Sequence, residues 1–152
     1  MKKFRFRLET LLKFRKMQEE QAQIKLAEAT NRLRTEQELL GGLQHKLTVT
    51  LGLLNKAQAG NPTIETLKAY SYYVDKIKSD IIAQQELVAK AAAYRQECLI
   101  VLEAAIKQRK LVDNLREKRF EQYNYQLLQE EQKILDELGT QAFVRDKGSV
   151  LK

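Results

Sequence analysis

Leucine recurs every seven residues through the first third of the chain, at Leu12, Leu26, Leu33, Leu40, Leu47 and Leu54, with Glu19 in the same frame. A second row, three places further round the heptad, holds Leu8, Arg15, Ala22, Ala29, Glu36, Leu43, Thr50 and Ala57. An apolar stripe repeating every 3.5 residues keeps one seam buried only by winding into a left-handed coiled coil. The pattern resumes further on, with Leu67, Val74, Ile81 and Val88 at sevens and Tyr70, Ile77 and Ala91 three residues later. Beyond Arg95 a new row appears at Leu99, Ile106, Phe120, Leu127 and Ile134, with Asp113 as its polar member. The eleven residues from Val88 to Leu99 are seven plus four, the spacing of a stutter that locally unwinds a supercoil.

Between the two patterns lies Ala59-Gly60-Asn61-Pro62-Thr63, which holds the only proline of the chain. Proline cannot donate to a helix and its ring clashes with the preceding turn, so the helix must break here. Gly60 suits a left-handed end to the first helix, and Pro62 suits the first turn of the next, capped by Asn61 or Thr63. The spacing predicts an all-α fold, a long antiparallel two-helix coiled-coil hairpin filling a single domain over 1–152. Helix one is expected at about 4–58, the turn at 59–62, helix two at about 63–139, and a flexible tail at 140–152 after Gly139. Gly41-Gly42 and Gly52 are weak points, each costing up to about 1 kcal/mol relative to Ala.

If the turn centres near residue 61, partners across the seam have numbers adding to about 121. Leu54 then faces Leu67, Leu47 faces Val74, Leu40 faces Ile81 and Leu33 faces Val88, so the two rows stay in step. The arms are unequal, at about 80 Å and about 115 Å for a rise of 1.5 Å per residue. The second helix is therefore expected to lack a partner from its own chain over 118–138. Phe120, Tyr123, Leu127, Ile134 and Leu138 lie on one face of that overhang, and a lone helix exposing such a stripe is marginal in water.

Composition agrees with a helical rod: there is no Trp, 31% of residues are charged, and Gly is sparse. The net charge of +7 is uneven, because residues 1–16 hold seven basic side chains against Glu9 and the remainder sums to +1. That placement points to a local acidic partner more than to a general affinity for nucleic acid. The basic stretch is also short and lacks the reading pattern of a bZIP basic region, so nucleic acid is not an expected partner. One Cys excludes an internal disulfide, no apolar run reaches the ~18 residues that cross a bilayer, and no signal-peptide core follows the basic start. These features point to a cytoplasmic protein.

Chemistry finds no foothold. His45 is the only histidine and Cys98 the only cysteine, which leaves no metal set and no Cys–His pair. Glu130-Glu131 and Asp136-Glu137 are neighbours in sequence, so their side chains diverge round a helix. There is no glycine-rich phosphate loop, and Pro62 spoils the sequon at Asn61. The expectation is a non-enzyme without cofactor or metal. The overhang has three readings: a frayed end, a face covered by a second copy in a homodimer, or a helix that docks in a partner's groove. The basic start, interleaved with Phe4, Phe6, Leu8, Leu11, Leu12 and Phe14, suits a carboxylate-lined pocket or an anionic membrane surface equally well. Tyr70, Tyr72 and Tyr73, just past the turn, make a second candidate surface.

The opening Phe4-Arg5-Phe6-Arg7-Leu8-Glu9-Thr10-Leu11-Leu12-Lys13-Phe14-Arg15, followed by a Gln- and Glu-rich helix with Glu19-Glu20 and Ala22, resembles the N-terminus of the FliJ family of the bacterial flagellar type III export apparatus. The Gly60-Asn61 break, the stretch from Tyr70 to Ile81 and the late Lys133-Ile134-Leu135-Asp136-Glu137 look similar as well. The resemblance implies a stalk-like antiparallel coiled coil whose joined N- and C-terminal end inserts into the hexameric export ATPase. Phe4, Arg5, Phe6, Arg7, Leu8, Leu11, Phe120, Tyr123, Leu127 and Ile134 would form that ring-facing end. It also implies contacts with the membrane-embedded export gate, through Tyr73 and Ile77, and with export chaperones. The protein would then sit at the cytoplasmic face of the inner membrane, held there by its partners.

Overall fold

The computed structural model describes residues 2–150, and the chain is an all-α helical hairpin. Helix α1 spans Glu9–Ala59 (51 residues) and α2 spans Ile64–Val150 (87 residues), so the second arm is the longer one, as its pattern predicts. The packing separates into two units. A middle unit holds Gln18–Ala105, and a terminal unit combines the N-terminal residues through Met17 with the chain from Ile106 onward.

In the middle unit the heptad rows are the seam. From position 20 to 57 of α1, every member of the two rows is buried or half-buried and every other position is exposed. Ala22 and Ala29 are buried because small side chains let the facing helix approach closely, and Thr50 is buried with its hydroxyl donating to the Lys46 carbonyl at 2.7 Å. On α2 the same 3-4 spacing runs from Leu67 through Val74, Ile77 and Ala91. The row expected beyond Arg95 is covered in part, with Leu99, Ile106, Asp113 and Leu127 half-buried and Phe120 and Ile134 exposed, but it does not displace this frame. Arg95, Cys98, Leu102 and Ala105 continue it, and Leu99 joins beside Cys98 as a half-buried neighbour. Small side chains on the inherited frame leave space that the second row helps to fill, so the seam widens instead of stepping.

Gln84 occupies the gap between Ile77 and Ala91 in its row, and it is buried. Its amide donates to the Glu36 carbonyl at 3.0 Å and to the Glu36 carboxylate, which satisfies both donors of the Nε2 group across the seam. The numbers of this pair add to 120, and those of Lys46 and Tyr73, in cation–π contact at 5.4 Å, add to 119, close to the expected 121. Arg95 donates to the Thr30 hydroxyl at 3.1 Å, a sum of 125. Long side chains on a helix lean back toward its N-terminus by about a turn, which accounts for the excess.

The connection between the helices differs in detail from its expected chemistry. Gly60 is not left-handed, since no residue of the described chain has a positive φ. Thr63, not Asn61, is the cap: its Oγ1 accepts from the Thr66 amide at 3.2 Å while its carbonyl accepts from Leu67 at 3.1 Å. Pro62 lies just ahead of the cap, where its fixed φ and missing N–H cost the helix nothing. Lys56 in the last turn of α1 and Glu65 in the first turn of α2 complement the two helix dipoles.

The terminal unit departs most from expectation. Helix α1 starts at Glu9, not near residue 4, and residues 2–6 form an arm without regular structure that leads into a turn at Arg7 and Leu8. Side-chain packing, described below, offsets the backbone hydrogen bonds this arm forgoes. At the other end Gly139 does not stop α2, which continues through the stretch expected as a flexible tail to Val150. Residues 151–152 of that tail lie outside the described residues. Local contacts sustain the last turns: Thr140 donates to the Asp136 carbonyl at 2.8 Å, and the Lys147 ammonium sits 5.1 Å from the Phe143 ring centroid. Among the described residues, no helix is long and apolar enough to cross a membrane.

Candidate functional site: a basic aromatic groove in the terminal unit

Leu12, only 2% exposed, roots the terminal unit in its seam. One turn earlier, Glu9 accepts from Arg116 Nε at 3.1 Å and ties the start of α1 to α2. The arm then runs along α2. Phe4 meets Phe120 edge to face, with ring centroids 5.1 Å apart at 71°, and meets Tyr123 at 5.6 Å and 50°. Such aromatic pairs are worth about 0.5–1.5 kcal/mol beyond their buried area. The Tyr123 hydroxyl donates to the Lys2 carbonyl at 2.6 Å and fixes the far end of the arm.

Between arm and helix lies an open groove of about 1400 Å³, walled by residues 2–8 on one side and by Leu115, Arg119, Gln122, Gln126, Leu127 and Glu130 on the other. Lys2, Lys3, Arg5, Arg7 and Arg119 against Glu130 give its walls a charge of +4. The groove therefore interleaves the apolar side chains Phe4, Phe6, Leu8, Leu115 and Leu127 with basic ones, an arrangement that suits an amphipathic helix carrying acidic side chains.

The structure brings together most of the residues that the sequence assigns to this end. Phe4, Arg5, Phe6, Arg7, Leu8, Tyr123 and Leu127 line the groove, Phe120 supports the arm from below, and Leu11 is half-buried beside Leu12. Ile134 does not join them: it is 54% exposed, about 20 Å along α2 from Phe120. The overhang is thus not bare from residue 118 as expected, because the arm covers its root as far as Tyr123. Leu115, Arg119, Gln122 and Gln126 escaped the sequence reading. The Lys118-Arg119 pair next to Phe120 was the available signal.

The second candidate surface is less uniform. Tyr73 is 39% exposed, and its phenol beside Lys46 holds that ammonium above its ordinary value. Ile77, assigned with it, is 2% exposed and sits inside the seam, so the two do not share a surface. The heptad frame itself places Ile77 on the buried row. His45 is exposed, Cys98 is buried, and no cluster of His, Cys, Asp or Glu that could hold a metal occurs among the described residues.

Residues 4–148 match the family of flagellar FliJ proteins, a span that runs from the arm through the turn and nearly to the end of α2. No curated protein and no solved structure matches the chain. The family match runs along both helices and takes in the groove from Phe4 onward, and with it the chain belongs to the FliJ family and is a flagellar, export-related protein.

Proposed function

We propose that this protein is a non-enzymatic stalk of the flagellar type III export apparatus, with the terminal unit as the end that enters the hexameric export ATPase. The observation that carries this reading is the groove, where a cluster of three aromatic rings lies beside walls of charge +4. A ring of ATPase subunits presenting apolar side chains and carboxylates would meet both features at once. The exposed α2 stripe beyond the groove, with Ile134 and Leu138, gives the ring a longer apolar contact. In this reading Tyr73, without Ile77, is the side chain available toward the export gate, and export chaperones are further partners. The protein works in the cytoplasm at the inner face of the membrane, held there through these partners.

A pull-down of the export ATPase compares the natural chain with a variant carrying Phe120→Asp and Leu127→Asp, with helicity checked by circular dichroism. Loss of capture with helicity retained supports the reading. Undiminished capture sinks ring insertion through this groove.

A further inference from the structure

The positive charge of the terminal unit is not confined to the groove. Residues 1–17 hold Glu9 as their only acid, and Arg116 engages it at 3.1 Å. Past the arm, Thr10, Lys13, Phe14 and Met17 stand at the i, i+3, i+4, i+7 spacing of one helix face, and all four are exposed. The opposite face is the seam, rooted in Leu12. Phe14 is 45% and Met17 49% exposed, and the exposed Lys13 and Lys16 stand beside them. None of residues 9–17 lines the groove, so a partner seated there has no need of this face.

We propose that this outward face of α1, together with the basic arm, docks on an anionic lipid surface. Lys2, Lys3, Arg5, Arg7, Lys13 and Lys16 are all exposed, and a cluster of about four to eight basic side chains is what an anionic bilayer attracts. A flat anionic sheet meets cations spread over an arm and two turns of helix without any register, whereas a protein groove must match each one in position. Phe14 and Met17 supply the second signal. They enter the boundary between headgroups and acyl chains while the lysines beside them reach back to the phosphates. The contact is shallow, since no helix among the described residues is long and apolar enough to cross a membrane. It goes beyond the stalk reading, in which partners alone hold the chain at the membrane. An ATPase ring closed round the terminal unit would cover the same face, so lipid contact belongs to the chain outside the ring.

Purified full-length chain tests this by flotation with vesicles of equal parts phosphatidylglycerol and phosphatidylcholine, and with vesicles of phosphatidylcholine alone. The expected result is binding to the first and none to the second, weakened at least tenfold at about 1 M salt, where the screening length falls to about 3 Å. Lys13→Gln with Lys16→Gln is expected to weaken binding at least tenfold, at about fivefold for each basic side chain. Phe14→Ser with Met17→Ser keeps every charge and is expected to weaken it by about tenfold as well. All four positions are exposed, so circular dichroism of both variants is expected to match that of the natural chain. The chain has no Trp, so Phe14→Trp places a single reporter in the face, and its emission is expected to shift to the blue with the anionic vesicles alone. No binding to anionic vesicles, equal binding to neutral ones, or an emission that stays unmoved would each overturn the proposal. A Phe14 and Met17 variant that binds as tightly as the natural chain would also overturn it, leaving a general affinity for polyanions. The ATPase takes no part in this experiment, so its outcome is separate from that of the pull-down.

Discussion

Gln84 crosses the seam of the middle unit to bond both the main-chain carbonyl and the carboxylate of Glu36. A buried polar pair inside an otherwise apolar coil fixes register, since sliding the helices by one heptad would bury both groups without partners. Replacing Gln84 by Ala is expected to cost about 1–3 kcal/mol, measured by urea unfolding, because the part-buried Glu36 carboxylate loses its donor. Replacing both residues by Leu is expected to leave stability near that of the natural chain or above it. The signature of lost register is then a broadened set of cross-links between the helices.

The arm depends on Tyr123. Its hydroxyl donates to the Lys2 carbonyl, while its ring also packs on Phe4. Tyr123→Phe keeps the ring and removes the bond, so global stability is expected to fall by no more than about 1.5 kcal/mol. Local release is the larger effect: tryptic cleavage after Arg5 and Arg7 is expected to accelerate several-fold while the rest of the chain stays resistant. Unchanged cleavage would show that Phe4 alone anchors the arm.

Gly41 and Gly42 lie inside α1 with ordinary negative φ, and a Cβ added at either meets no atom within 4 Å. Nothing in the middle unit requires glycine there. Gly41→Ala and Gly42→Ala are each expected to stabilise the protein by about 0.4–1 kcal/mol, read as a rise in thermal midpoint. A loss of stability would mean that α1 uses this point to bend.

Tyr94, half exposed on α2, is held above the ordinary tyrosine value of about 10 by the buried Cys98 thiol one turn on. A raised value means the folded state favours the neutral phenol. That contribution is complete below pH ~10 and disappears as pH climbs through the raised value. Lys46 is raised by Tyr73 and loses its contribution in the same direction, above the ordinary lysine range. The thermal midpoint is therefore expected to hold up to about pH 10 and to fall as pH climbs above it, and Tyr94→Phe should reduce that fall. In the difference absorbance titration, the Tyr94 component should show its midpoint above 10.

The seam was legible because burial follows a simple period. All rows of α1 from Glu19 to Ala57 are covered as their spacing predicts, and the two arms meet near the expected sum. What escaped were places where a contact overrides the period. Phe4 to Arg7 read as helix, yet Phe4 gains more from Phe120 and Tyr123 than from helical hydrogen bonds, and nothing in local propensity reveals a partner more than a hundred residues away. Gly139 read as a stop, but glycine ends a helix only where the chain must turn, and here it continues. Gln84 was hidden because a polar residue in a heptad row looks like a gap until its partner, Glu36, is seen across the seam. Ile77 shows the converse, a side chain to which the resemblance gives a surface role on a row that the frame buries.

The central claim is that the basic aromatic groove is where the export ATPase binds. A photo-cross-linking residue in place of Gln126, an exposed position on the groove wall, tests it in cells that assemble flagella. The account predicts capture of the export ATPase from this position and none from the same probe at Tyr72, on the exposed side of α2 near the turn. Capture of the ATPase from Tyr72 with none from Gln126 would contradict it.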